Sequence, residues 1–266
     1  MTNSYTSQSV LTDQKEWFER WFNHHYNLVY GHRTDEEAES FTAEWPIWDQ
    51  IPAGGLCLDI GCGSGRYSRT VAKRGLDVIG LDISETLLSS ASQNPLPSGS
   101  GSVNYVQSDM RYMPFSGGFS LIISMFTSFG YFNSDTEHLK LLTECCRLCA
   151  DNACLILDLP NPYHTKWFVK EHPSEVSVKN GLTISMERTY ESASKRVIKQ
   201  IKIEGNGVLE NYTESVRLFE PSELLILLTQ AGFRQTTPFW GDYKGSPMGP
   251  DSPRMVFFGV RHIGTD

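Results

Sequence analysis

Between Leu11 and Trp48 apolar positions recur at helical spacing, in two amphipathic stretches parted near Gly31. The first carries Trp17, Phe18, Trp21, Phe22 and Tyr26, a stripe that reads as a packing face. The second opens at Thr34 with Glu37 three residues on, the spacing of a capping box. After Pro52, Gly54 and Gly55 short apolar runs alternate with helical segments. Strands are expected at 56–60, 77–81, 103–107, 119–125 and 153–159, with helices at 66–74, from Ser84 onward and at 135–149. Such alternation implies βαβ units and a parallel sheet covered on both faces, hence a doubly wound α/β core. From about Gly181 to Phe219 the rhythm changes. Leu182, Ile184 and Met186 alternate with polar neighbours, as do Ile201 and Ile203, with no helix between, which predicts an antiparallel β insertion. A helix then runs from Pro221 to Gly232, and closing strands are expected at 233–240 and 254–261.

Composition narrows the classes without choosing among them. With 266 residues, 39% of them hydrophobic, the chain can bury a large core, and no apolar run approaches the ~20 residues of a membrane span. The start, Met1 to Gln8, is polar and lacks a secretory pattern, so the expected location is the cytoplasm. A net charge of −8 argues against nucleic acid as a partner. The loose basic cluster Lys195, Arg196, Lys199 and Lys202 reads as decoration of a solvated strand pair. Six cysteines are expected as reduced, mostly buried thiols, the Cys146 to Cys149 CxxC lying on an apolar helical stripe without a second ligand pair. No metal site is expected.

Chemistry concentrates in Asp59-Ile60-Gly61-Cys62-Gly63-Ser64-Gly65-Arg66, between the first core strand and a helix. Glycines there allow a tight turn and close approach of a ligand to the backbone. A dinucleotide fingerprint counted from Gly61 and Gly63 requires glycine at position 66, where Arg66 stands. Taken singly, Asp59, Asp82 and Asp109 could each be a cap or a turn residue. Their order at three successive strand ends is what a set of coincidental caps explains poorly.

The run resembles motif I of the class I S-adenosylmethionine-dependent methyltransferases. That resemblance implies a Rossmann-like sheet, mostly parallel with the last strand antiparallel. It places Asp59 at the amino end of the cofactor's methionine moiety, Asp82 at the ribose and Asp109 and Met110 at the adenine, with Gly61, Gly63, Gly65 and Ile83 as further cofactor contacts. Ser124, Met125 and Phe126 resemble the cleft lining of a bacterial subgroup that methylates small molecules, sugar amines included. Tyr26, Tyr30 and Arg33 match that subgroup's N-terminal pattern, in which a helix closes over the cofactor. The segments around Asp242-Tyr243 and Ser252-Pro253-Arg254 resemble a wider bacterial set, and they and the lid depart from the sugar-amine enzymes.

The expected organisation is a helical cap over residues 1–52 and a methyltransferase domain over 53–266, with a β-rich lid at about 181–219. The expected activity is methyl transfer from S-adenosylmethionine, leaving S-adenosylhomocysteine, to an N or O atom of a small molecule. Phe126, Phe129, Tyr131 and Trp240 are expected to line its pocket, with Tyr131, His164 and Asp242 as candidate bases, His24, His25 and His32 lying in the lead, and a monomer or homodimer as the assembly. Two other readings stay open on the sequence: a cofactor-binding regulatory module without turnover, and a nicotinamide-dependent oxidoreductase.

Overall fold

A computed structural model describes residues 16–31 and 33–262. The start of the first helical stretch, the polar segment Met1 to Gln8 and His32 therefore lie outside the described residues. The described part of that stretch forms two short helices, α1 (Trp17–Trp21) and α2 (His24–Tyr30). Asn23 separates them, its Oδ1 accepting from the His25 N–H at 2.7 Å and starting a new helix. Helix α3 (Asp35–Ala43) starts at Thr34, whose Oγ1 accepts from the Glu37 N–H. The expected capping box is half made, because the Glu37 carboxylate turns to Arg66 at 3.4 Å.

The core follows as β1 (Leu56–Ile60), α4 (Arg66–Ala72), β2 (Asp77–Asp82), α5 (Glu85–Ser92), β3 (Val103–Gln107), β4 (Phe119–Ser124), α6 (Asp135–Leu148) and β5 (Cys149–Pro160). Next come α7 (Pro162–Glu171), β6 (Ser174–Lys179), β7 (Leu182–Glu191), β8 (Arg196–Gly205), β9 (Val208–Arg217), α8 (Pro221–Gln230), β10 (Phe233–Gln235) and β11 (Arg254–Arg261). The main sheet runs β10-β11-β5-β4-β1-β2-β3, with β1 to β5 parallel and β11 antiparallel to both of its neighbours. Leu58, Ile122, Leu155 and Phe257 face one side with α6 and α8; Cys57, Leu121, Ile156 and Phe258 face the other with α3 and α4. Burial on both faces explains why these strands read as unbroken apolar runs.

The insertion forms its own sheet, β6-β7-β8-β9, antiparallel throughout. It starts at Ser174, before the expected Gly181, and follows the unforeseen helix α7, which Pro162 opens and Asn161 caps. Its apolar face, with Ile184, Met186, Ile201, Ile203 and Tyr212, packs on Trp21 and Val29 of the lead. The helical lead is therefore divided: α1 and α2 share a core with the lid, while Phe41 and Trp45 at and beyond α3 belong to the main core. The strand expected at 233–240 stops at Gln235; Pro238 offers no N–H to the ladder, and pairing returns only as bridges from Trp240 to Val256 and Pro247. The six cysteines are free, four of them buried. No described helix is long and apolar enough to cross a membrane.

Candidate active site

The sheet runs outward from β1 in both directions, to β2 and β3 and to β4 and β5, and a cleft opens beyond the carboxyl ends of these strands. It measures about 1030 Å³ counted to its open mouth. Gly61, Gly63 and Gly65 turn the chain from β1 into α4 with φ of 67°, 54° and 74°, values that side chains rarely tolerate. A Cβ at Gly61 would stand 2.6 Å from Ser128, so the turn lies tight against the segment after β4. Gly65 packs the other way, a Cβ there meeting the Tyr105 hydroxyl at 2.1 Å, and it does not line the cleft.

Asp59, Gly61, Gly63, Asp82, Ile83, Asp109, Met110, Met125 and Phe126 all line this cleft, as do Tyr26, Tyr30 and Arg33 from the lead. Ser124 does not: its side chain is buried at the end of β4. Phe18, Phe22 and Tyr26 show that the aromatic stripe is wall as well as packing face.

The carboxylates differ in what they leave free. Asp59 is 1% exposed, and burial pushes its carboxyl up to about 7 against the opposing effect of the Ser68 hydroxyl, which donates at 2.6 Å. Asp82 accepts from the Gly63 N–H on Oδ2 and from the Ser84 N–H on Oδ1, each at 2.8 Å, and burial raises its pKa too. Neither has a cationic partner among the described residues. Two buried carboxylates without counter-ions, in a cleft with a close-approach backbone turn, fit a ligand that brings an ammonium and vicinal hydroxyls. Asp109 is different. Arg111 meets both its oxygens, with Nη2 at 2.6 Å from Oδ2 and Nε at 3.1 Å from Oδ1, so most of its accepting capacity is already used.

A second cavity adjoins the first and shares Phe22, Tyr26, Tyr30, Arg33, Phe126 and Tyr131 with it. Its far wall is the inserted sheet, including Arg188, Val197, Lys199, Glu214 and Val216. Arg188, Lys199 and Glu214 stand directly opposite one another across β7, β8 and β9. This row continues the face that buries Met186, Ile201 and Tyr212, because successive residues of a strand alternate sides. Glu214 accepts from Trp21 Nε1 at 2.6 Å, from the Tyr30 hydroxyl at 2.8 Å and from Lys199 Nζ at 2.7 Å, tying the lead to the lid. The basic cluster on β8 is thus only partly surface decoration. Lys199 faces this cavity, and Arg196 is buried, donating to the carbonyls of Gly130, Tyr131, Phe132 and Ser215.

Between the cavities Phe126 and Thr127 hold φ of 60° and 72°, a strained pair for side chains of this size. Asp158, 1% exposed, over-determines them: Oδ2 accepts from the Phe126 N–H at 3.0 Å and from the Tyr243 hydroxyl at 2.9 Å. Its Oδ1 accepts from Arg254 Nε at 2.7 Å, and Arg254 Nη2 reaches Thr127 Oγ1 at 3.1 Å. The Arg33 guanidinium carbon lies 3.4 Å from the centre of the Phe126 ring.

Several sequence expectations fall outside both cavities. His164 lies on α7, stacked beside Trp167 and Phe168, and the Asp242 carboxylate closes its own turn by accepting from the Lys244 and Ser246 N–H groups. His25 bonds the Tyr212 hydroxyl at the lid, with His24 packed beside it. Phe129 is buried between His138 and Phe219, and Trp240 packs on Phe258. Only Tyr131 of the candidate bases lines both cavities, and burial holds its hydroxyl well above the usual tyrosine range.

Residues 57–152 match the model of a methyltransferase domain. The fold is shared with an S-adenosylmethionine-dependent methyltransferase from Clostridium acetobutylicum ATCC 824, with a TM-score of 0.73 and 14% identity over 90% of this chain and 97% of that one. The chain thus carries a methyltransferase domain on a fold shared with S-adenosylmethionine-dependent methyltransferases. Among its relatives is a dTDP-3-amino-3,4,6-trideoxy-alpha-D-glucopyranose N,N-dimethyltransferase of Streptomyces venezuelae, 25% identical over 88% of this chain and 95% of its own. The protein YqeM of Bacillus subtilis (strain 168) is 28% identical over 45% of this chain, which spans about half of that relative, 49%.

Proposed function

We propose that this protein transfers a methyl group from S-adenosylmethionine to an N or O atom of a small-molecule acceptor held in the second cavity. The observation that carries the reading is the shared neck: one cavity has carboxylates suited to the cofactor, the other is walled by the inserted sheet, and six residues line both. A regulatory module would have no use for a second chamber at that neck. The sugar N-methyltransferase among the relatives is consistent with a small acceptor.

When bound, the cofactor supplies a methyl group on a sulfonium, so the protein needs chiefly to align an acceptor lone pair and exclude water. Asp59 would hold the ammonium and Asp82 the ribose hydroxyls, with Ile83 and Met110 against the adenine. Arg33, stacked on Phe126 and bonded to the Tyr26 hydroxyl at 3.2 Å, would meet the methionine carboxylate. Phe22, Tyr26, Phe126 and Tyr131 would shield the reacting atoms. Tyr131 serves to orient the acceptor rather than to take its proton, since its hydroxyl stays protonated at neutral pH. Incubation with methyl-labelled cofactor and a fractionated extract of the source cell tests the reading. Label is expected in the small-molecule fraction; label confined to RNA or protein overturns it.

A further inference from the structure

The second cavity has a charge pattern that its aromatic walls conceal. Arg188, Lys199 and Arg254 line it, joined at the neck by Arg33, with Arg254 already paired to the buried Asp158, while among the described residues Glu214 is the single carboxylate in its wall. Glu214 already accepts from Trp21, Tyr30 and Lys199, three donors on two oxygens, so it has little left for an incoming ammonium. Arg188 is tethered from outside the wall, to Glu175 at 2.6 Å. Glu175 is half-exposed, and a tether of that kind is weakened by water and salt. Both side chains are enclosed, Arg188 10% and Lys199 18% exposed, and of the three protons of Lys199 one goes to Glu214 and one to the Tyr30 hydroxyl, leaving one to place. The cross-strand register puts Arg188 directly beside Lys199 on the same face. Like charges side by side repel, an arrangement that an anion between them relieves. Around this pair the cavity offers apolar or aromatic surface, with Trp17, Phe168, Val197, Val216 and Leu218.

We propose that the methyl acceptor is a small organic acid, whose apolar body lies among these side chains while its carboxylate is anchored between Arg188 and Lys199. The inference rests on the methyltransferase reading above and deepens it. An acceptor carrying a positive charge in place of the acid would find no free carboxylate in the described wall, since Glu214 is saturated. The carboxylate serves as the anchor and leaves another atom of the acceptor to face the neck.

The test is calorimetry on the full chain, first with S-adenosylhomocysteine and then, with that product bound, with matched probes. Phenylacetate, phenylacetamide and phenethylamine share one body, as do hexanoate, hexanamide and hexylamine. The acids should bind at least about tenfold more tightly than the amides, the ratio expected of one charge-assisted hydrogen bond, and the amines most weakly. Added salt should narrow the gap, and Arg188→Gln and Lys199→Met should each shrink the acid-to-amide ratio, with S-adenosylhomocysteine binding reporting that each variant is folded. Amines equal to or better than acids, ratios unchanged in both variants, or no acid binding to a protein that binds S-adenosylhomocysteine would each overturn the proposal. Failure to bind S-adenosylhomocysteine at all would instead overturn the reading on which it rests.

Discussion

Asp59 offers a quantitative handle on the cofactor cleft, because its carboxyl is held at about 7 by burial, against an ordinary value of 3.8. An ammonium binds the carboxylate form, so below pH 7 the site must lose a proton before it can be filled. Affinity for S-adenosylhomocysteine should then fall toward a limiting tenfold for each pH unit, about fiftyfold between pH 7, where the group is half protonated, and pH 5. At the alkaline side the ligand's own amino group loses its proton near ~8, so the profile is a bell with its maximum between the two. The unliganded protein carries the same linkage with a fixed sign. A folded pKa above the unfolded one means that the folded state holds the extra proton, and stability is greatest below pH 3.8 as far as this group is concerned. It is lost as pH rises through about 7, by roughly 4 kcal/mol for a shift of about three units. Asp82, also raised, acts in the same direction. Calorimetric titrations from pH 5 to pH 9, paired with urea melts of the apo protein, measure both effects. Asp59→Asn should bind more weakly at pH 7.5 by about 1.5–3 kcal/mol and lose the acid limb of the bell. A wild-type affinity flat from pH 5 to pH 7, or an acid limb that survives in Asp59→Asn, would refute the assignment.

Asp82→Ala should weaken S-adenosylhomocysteine by about 1.5–3 kcal/mol in the same calorimetry while leaving the melting transition in place. Asp158→Asn leaves the Arg254 guanidinium without its buried counter-charge and should destabilise the fold by about 3–5 kcal/mol in urea melts. His138 is enclosed by Phe129, Phe132 and Phe219, and neither ring nitrogen has a hydrogen-bond partner among the described residues, the Asp135 carboxylate lying 3.8 Å from Nδ1, so His138→Phe should raise stability by about 1–3 kcal/mol. Burial lowers the His138 pKa to about 4, so its contribution is intact above 6.5 and is lost as pH falls toward 4, a loss that the phenylalanine variant should not show in acid melts.

The core and the glycine turn after β1 were legible in the sequence because their causes are local. Strands buried on both faces leave apolar runs, and a turn that needs three positive φ values leaves glycines at Gly61, Gly63 and Gly65. Carboxylates at strand ends follow by counting, which is why Asp59 and Asp82 were readable one strand at a time. Asp109 was readable by position yet not by availability, since Arg111 folds back on it through side-chain geometry that spacing does not encode. Of the second cavity the inserted sheet, Phe126 and Tyr131 were readable, but its charged wall was not. Lys199 and Glu214 become neighbours only through the register of β8 and β9, and they reach Tyr30 only when the inserted sheet packs on α2. A cross-strand pair of opposite charge is a signal in principle, but a slip of one residue would turn both side chains to the other face. The same holds for Asp158, Tyr243 and Arg254, which come from different segments of the chain and meet beneath Phe126. Periodicity records which side of its own element a residue faces. Which other element waits on that side is decided by the packing of sheet, lid and lead together.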